Sequence, residues 1–368
     1  MMRLSCESLV YLQKDYFAAK ERTIVQNGDM TAGAFIFDTG VHALRLTNRR
    51  GEIIVLPYQG QQVWSCRFDG KELTMKSMLP QPYPTTDYLR TYGGFILHCG
   101  ATAMGVPSAK DSHPLHGELP NAPYETAYLK IGEDDKGRYI GVGGQYHHIV
   151  AFNHNYLAEP FIKLYEDSAV LSASMAITNL KNTDMELMYM MHINFRPVDY
   201  GELVYSAKCN PDDVRVHINI PSHIKPSAGL EEFKNFLYAL QKNPEMHHVL
   251  KPGLVFDPEV VFSINYLCDA EGKSYSMQIH PDGYADYVSH RPAELDHGIR
   301  WIARTRNEDA LGLVLPGTAE NGGYIAEKEK GNIKILQAGQ KIIFHVKAGL
   351  LKPNEAETIR RKIKNILE

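Results

Sequence analysis

The chain has 368 residues, with 39 Lys+Arg against 43 Asp+Glu, and a formal net charge of −4. At 44% hydrophobic and 22% charged residues it is apolar enough to offset the ordering entropy that keeps polar chains disordered. There is no basic excess of the kind nucleic-acid binders carry, and no apolar run reaches the ~18 residues that a membrane helix needs, so neither a nucleic-acid nor a membrane partner is expected.

Five widely spaced cysteines (Cys6, Cys66, Cys99, Cys209, Cys268) are too few and odd in number for a disulfide framework. They fit a reducing, cytoplasmic compartment. The N-terminus turns charged soon after a short apolar run, which is not the pattern of a signal peptide.

In chain order, residues 7–20 (ESLVYLQKDYFAAK) read as a helix. Strand-like runs follow at 35–48 and 52–68, cut by the turn signals DTG, NRRG and PYQG. The proline-rich 79–88 reads as a long surface loop. Alternating segments then recur at 139–150, 169–180, 187–195 and 214–220. Residues 228–243 predict a helix, with Leu230, Phe233, Phe236, Leu237 and Leu240 on one face. Further strands are expected at 259–267, 274–280, 311–316 and 341–351, with DAEGK (269–273) as a hairpin turn between the first two. The tail 353–368 predicts a last helix, opened by Pro and Asn. Strands outnumber helices and do not alternate with them, so the expected fold is all-β, a large antiparallel sandwich with a few peripheral helices. Without repeats or Gly/Ser linkers, one domain over 1–368 is expected, with a core at about 32–351 and the segments 1–31 and 353–368 peripheral.

Three segments carry polar groups in patterns suited to chemistry. Residues 92–125 form a long turn-rich loop with His98, His113 and His116, the last followed by Gly117 and Glu118. Loops this long in compact domains are usually functional, although turn-capping histidines would suit the same sequence. In 187–202, alternation puts His192, Asn194 and Arg196 on one strand face, with Asp199 and Glu202 beyond. In 296–331, Arg300 and Trp301 suit hydrogen bonding to and stacking on a sugar, with Glu320 in a Gly-rich turn. The pairs His147–His148 and His247–His248 point to opposite strand faces and cannot chelate one ion, so no metal is expected. No dinucleotide or phosphate-binding glycine motif is present, so no cofactor is expected either.

These segments, in this order, resemble the galactose mutarotase (aldose 1-epimerase) superfamily, in a divergent aldose 1-epimerase-like branch. The resemblance rests on His116 in LHGELPNAP, His192 in MHINF 76 residues later, the approach 174–187 and the ending 329–351. It spans about residues 32–351. It implies a β-supersandwich that binds a monosaccharide or sugar derivative and interconverts its anomers by acid–base ring opening. By motif, His192 would be the general acid, and His116 would hydrogen-bond the sugar and help stabilise charge on the ring oxygen. Arg90 would take the sugar-binding arginine role, joined by His98, Asn194, Arg196, Arg300 and Trp301 as substrate contacts.

One position departs from the family. The late-strand slot for the catalytic glutamate reads Leu315, and leucine cannot accept a proton. Glu320 and Glu118 are the first candidates for a relocated base, with Glu202 and Asp199 behind them. The alternatives are a sugar-binding or sensing protein without catalysis, and an isomerase or lyase using a histidine-held metal. Monomer and homodimer both stay open.

Overall fold

The computed structural model describes residues 7–218, 229–253 and 256–368. Short β-branched and aromatic runs separated by turns build two large antiparallel sheets. In order across the first sheet run Ser8–Tyr11, Thr126–Asp134, Gly137–Val150, His154–Tyr165, Val170–Asn179, Lys341–Leu351, Ala285–His290, Ser274–Ile279 and Glu202–Tyr205. The second sheet begins Val214–Val216, Val260–Ile264, His297–Arg304, Asp309–Gly317, Met185–Ile193, Ile96–Ala101. It continues Val63–Phe68, Gly51–Val55, His42–Thr47, Met30–Ile36 and Arg22–Asn27. The all-β sandwich expected from the alternation is the architecture observed.

Alternation also fixes the two faces. Met191, Ile193 and Phe195 are fully buried in the main core between the sheets, beside Phe95, Leu313 and Phe344. Residues two apart from one another on the opposite face of the same strands, such as Met190 and His192, are left to line a cleft.

Helices are peripheral. Leu230–Lys242 buries Phe233, Leu237 and Leu240, as its apolar spacing requires; residue 228 of the expected helix lies outside the described residues. Pro353–Leu367 packs Ala356 and Ile363 against the edge of the first sheet, near Tyr275 and Met277. A third helix, Tyr324–Glu329, was not expected from sequence.

Two local expectations are corrected. Residues 7–20 do not form a helix. Ser8–Tyr11 is an edge strand paired with Tyr128–Ile131, and only Lys14–Tyr16 makes a helical turn. The backbone ladder and a Tyr11–Tyr128 ring contact outweigh a weak helical preference. DAEGK is a tight turn, held by the Asp269 carboxylate accepting from the Glu271 and Lys273 N–H groups. It does not close a hairpin, because Val260–Ile264 and Ser274–Ile279 belong to different sheets.

The cysteines Cys66, Cys99, Cys209 and Cys268 are free, and Cys6 lies outside the described residues. Among the described residues no helix is long and apolar enough to cross a membrane, and no cluster of His, Cys, Asp or Glu is set to hold a metal ion.

Burial sets a pH dependence. His98 is fully buried, with Nδ1 2.7 Å from the Tyr189 hydroxyl, and desolvation pushes its pKa down to about 3. The unfolded chain takes up that proton near pH ~6.5, so the neutral native imidazole contributes stability above that pH and loses it as pH falls toward 3. The difference in unfolding free energy between wild type and His98→Gln should therefore shift against wild type between pH 6.5 and 4. Parallel denaturation curves across that range would contradict this.

Candidate functional site

The sandwich leaves a large cleft, of about 1440 Å³, over the second sheet. Its walls come from 75–79, 88–92 and the loop ending at His116; its floor comes from the strands bearing His192, Val261, Trp301 and Leu315.

His116 stands in the long loop with φ 60, followed by Gly117 at φ 83. A Cβ on Gly117 would lie 2.2 Å from the Ala103 carbonyl oxygen and 2.6 Å from that of Gly100, so only glycine fits this turn. The His116 N–H donates to the Gly105 carbonyl, and the His116 carbonyl accepts from the Gly100 N–H, each at 2.9 Å. Glu118 ties the loop to the sheet. Its carboxylate accepts from the Ala101 and Thr102 N–H groups, the Thr102 hydroxyl and, at 2.6 Å, the Tyr156 hydroxyl.

His192 is 4% exposed. The Asn194 amide donates from Nδ2 to the Gly94 carbonyl at 2.9 Å, which turns its Oδ1 toward His192 Nδ1 at 2.7 Å and toward the Tyr92 hydroxyl at 3.3 Å. Nδ1 therefore carries the proton, and Nε2 is the acceptor of the neutral ring. Desolvation pushes the His192 pKa down to about 4, despite the Asn194 bond, so the imidazole is neutral near pH 7.

Five rings close around this point. His116 and His192 lie 5.5 Å apart, and Trp301 is 5.6 Å from His192. Tyr92 is 5.9 Å from His192 and 6.1 Å from Trp301, while Tyr88 joins Tyr92 and His116 at 5.0 and 4.9 Å. The two histidines singled out from sequence are thus brought together.

The carboxylate beside them is one that sequence reading missed. Glu259 lines the cleft, and its Oε2 accepts from Trp301 Nε1 at 2.6 Å. It forms no ion pair with any described residue. Burial pushes its pKa up, and the Trp301 bond only partly opposes this. A signal existed in the sequence: Glu259 follows Pro258 at the start of a strand, two positions before Val261, and so shares its cleft-facing side.

Most of the other expected residues lie outside the cleft. Leu315 does face the cleft, 2% exposed among Met190, Val261 and Ile299. Glu320 is not in the cleft. Burial pushes its carboxyl up, but bonds from Lys330, Ser263 and Arg215 outweigh that and hold it down at about 2. Asp199 lies on the cleft wall, paired with Arg304, and Glu202 is paired with Arg360 of the last helix. Glu118 is committed to its loop. Arg300 and Trp301, adjacent on one strand, face opposite ways: Arg300 is fully buried behind the sheet, bonded to the Leu313 carbonyl and His247 and stacked 4.2 Å over Tyr205. His98 lies on the core side. Arg196 donates to the Thr74 carbonyl outside the cleft lining, and Arg90 is exposed in the turn Leu89–Thr91.

Comparison with known proteins gives a consistent fold. Residues 38–201, which include both histidines, match a family model described as a domain of unknown function (DUF4432). No curated protein is similar in sequence. The structure is similar to that of a candidate aldose 1-epimerase from Klebsiella pneumoniae, with TM-score 0.82 at 15% identity over 99% of this chain and 96% of the other. A candidate aldose 1-epimerase from Escherichia coli K12 gives TM-score 0.53 at 12% identity, covering 83% of this chain and 98% of that one. A galactose mutarotase-like protein from Lactobacillus casei gives 0.50 at 14%, covering 90% and 100%.

The Asn194 contact can be tested directly. In Asn194→Asp a carboxylate faces Nδ1, and an opposite charge favours the imidazolium. The His192 pKa, followed by NMR titration, should rise above about 4; an unchanged or lower value would show that Asn194 does not set it. Taken together, the two-sheet architecture and these likenesses give the chain the galactose mutarotase-like fold seen in aldose 1-epimerase structures.

Proposed function

We propose that the protein binds an aldose or aldose derivative in this cleft and interconverts its anomers, with His192 and Glu259 as the acid–base pair. The carrying observation is Glu259, a carboxylate free of any described cation and held by Trp301, whose ring lies 5.6 Å from that of His192. It supplies the group that Leu315 lacks.

Anomer interconversion needs one proton removed from the anomeric hydroxyl and one delivered to the ring oxygen. The C1–O5 bond then breaks, the C1–C2 bond rotates, and reclosure reverses both transfers. Burial pushes the His192 pKa down to about 4, which leaves the imidazole neutral near pH 7, and raises that of Glu259 above the ordinary carboxylate range. A neutral His192 accepts at Nε2, so the proton flow proposed is opposite to that expected from the resemblance: Nε2 takes the hydroxyl proton and the protonated form of Glu259 delivers one to the ring oxygen. On reclosure the two exchange roles. His116 and the tyrosines frame the sugar, and the face of Trp301 suits the C–H face of a pyranose.

A second reading has its own support. The residues that occupy or neighbour the usual base position are Leu315, which is apolar, and Glu320, which is ion-paired. On that ground the cleft would bind sugar without turnover.

Exchange NMR on a panel of aldoses separates the two. The expected result is faster anomer exchange that drops about 10²–10⁴-fold in Glu259→Gln and in His192→Gln, with sugar binding by calorimetry retained in the glutamine variant at 259. Saturable binding without acceleration would establish the second reading, and full activity in Glu259→Gln would remove the acid–base assignment.

A further inference from the structure

The cleft floor carries more than the acid–base pair. Met190, Val261, Ile299 and Leu315 come from four neighbouring strands of one sheet and pack as one cluster with Cys99, Met188 and Ala319. All four line the cleft. Their cleft-facing surface is hydrocarbon and thioether, with no hydrogen-bonding group apart from the weak acceptor sulfur of Met190.

This surface is continuous with the chemistry. Met190 and His192 are two apart on one strand, Ile299 and Trp301 on a second, and Glu259 and Val261 in a third segment. Trp301 packs against the apolar cluster while its Nε1 donates to Glu259. Two residues along a strand span about 7 Å and neighbouring strands lie about 4.8 Å apart, so a sugar seated at His192 and Trp301 lies against the part of this patch formed by the neighbouring strands.

A hydroxyl pressed against such a surface gives up water and gains no partner, and a buried polar group without a hydrogen bond is disfavoured by roughly 1–3 kcal/mol. A methyl or methylene at the same place loses nothing. We infer that the cleft selects a deoxyaldose, a sugar whose ring or exocyclic carbon lacks a hydroxyl where it meets Met190, Val261, Ile299 and Leu315. This rests on the sugar-cleft reading above and names its substrate class. It also gives the departure at position 315 a role: leucine completes the apolar floor, and a glutamate there would place a charge in the middle of it.

An apolar pocket rejects an added hydroxyl only by about 10²-fold, so the expected preference is about 10- to 100-fold. The test is exchange NMR on matched pairs: L-fucose with L-galactose, L-rhamnose with L-mannose, 2-deoxy-D-glucose with D-glucose, and 2-deoxy-D-ribose with D-ribose. In at least one pair the deoxy sugar should show a kcat/KM about 10- to 100-fold above its hydroxylated parent. Leu315→Gln, which offers a hydroxyl partner at nearly the same volume, should reduce that ratio. Val261→Thr, which keeps the shape, should do the same if the glutamine variant does not fold.

Parents turned over as well as their deoxy partners in every pair would overturn the inference and leave the anomer-interconversion reading standing. No acceleration, with calorimetry showing tighter binding of a deoxy sugar than its parent, would support the inference and overturn turnover. No binding of any of the eight sugars would overturn both.

Discussion

The hydrogen bond from Trp301 Nε1 to Glu259 is the contact on which the account turns. A carboxylate facing a partly dry cleft, with no described cation to compensate it, is held there by one neutral donor. That donor sits on a ring that also borders His192 and the apolar floor. The same side chain thus touches Glu259, the His192 ring and the apolar floor of the cleft at once. Burial acts on the two groups in opposite senses, raising the Glu259 pKa and lowering that of His192 to about 4.

Positioning of this pair depends on the sheets behind it. Met191, Ile193 and Phe195 lock one face of the His192 strand into the main core, so the other face presents Met190 and His192 to the cleft without freedom to rotate. Arg300 does the same for Trp301. Its buried guanidinium, bonded to the Leu313 carbonyl and to His247, anchors the back of the strand whose front carries the indole. On the other wall, the left-handed pair His116–Gly117 and the Glu118 carboxylate fold the loop so that His116 meets Tyr88 and His192.

Much of this was legible in sequence. Period-two alternation identified the strands and assigned Met191 and Ile193 to the side opposite His192, and the His116/His192 spacing marked two residues whose rings prove to be 5.5 Å apart. What sequence could not supply was which face of a strand looks outward when both carry polar or aromatic groups. Arg300 and Trp301 had to point opposite ways, and only the packing of His247 and Tyr205 behind the sheet decides that Arg300 is the buried one. Glu259 was passed over because a single glutamate at the head of an apolar strand resembles an ordinary solvated end. Its significance comes from Trp301, 42 residues later and adjacent only after the sheet forms. Glu320 and Glu118 drew attention by proximity in sequence, but Lys330 and Arg215 claim the first and backbone N–H groups the second.

The most direct measurement is a structure of the protein with a monosaccharide bound in the cleft. The anomeric hydroxyl is expected within hydrogen-bond reach, about 2.6–3.2 Å, of His192 Nε2, and the ring oxygen within the same reach of Glu259. A sugar seated with its anomeric carbon turned away from both groups would contradict this.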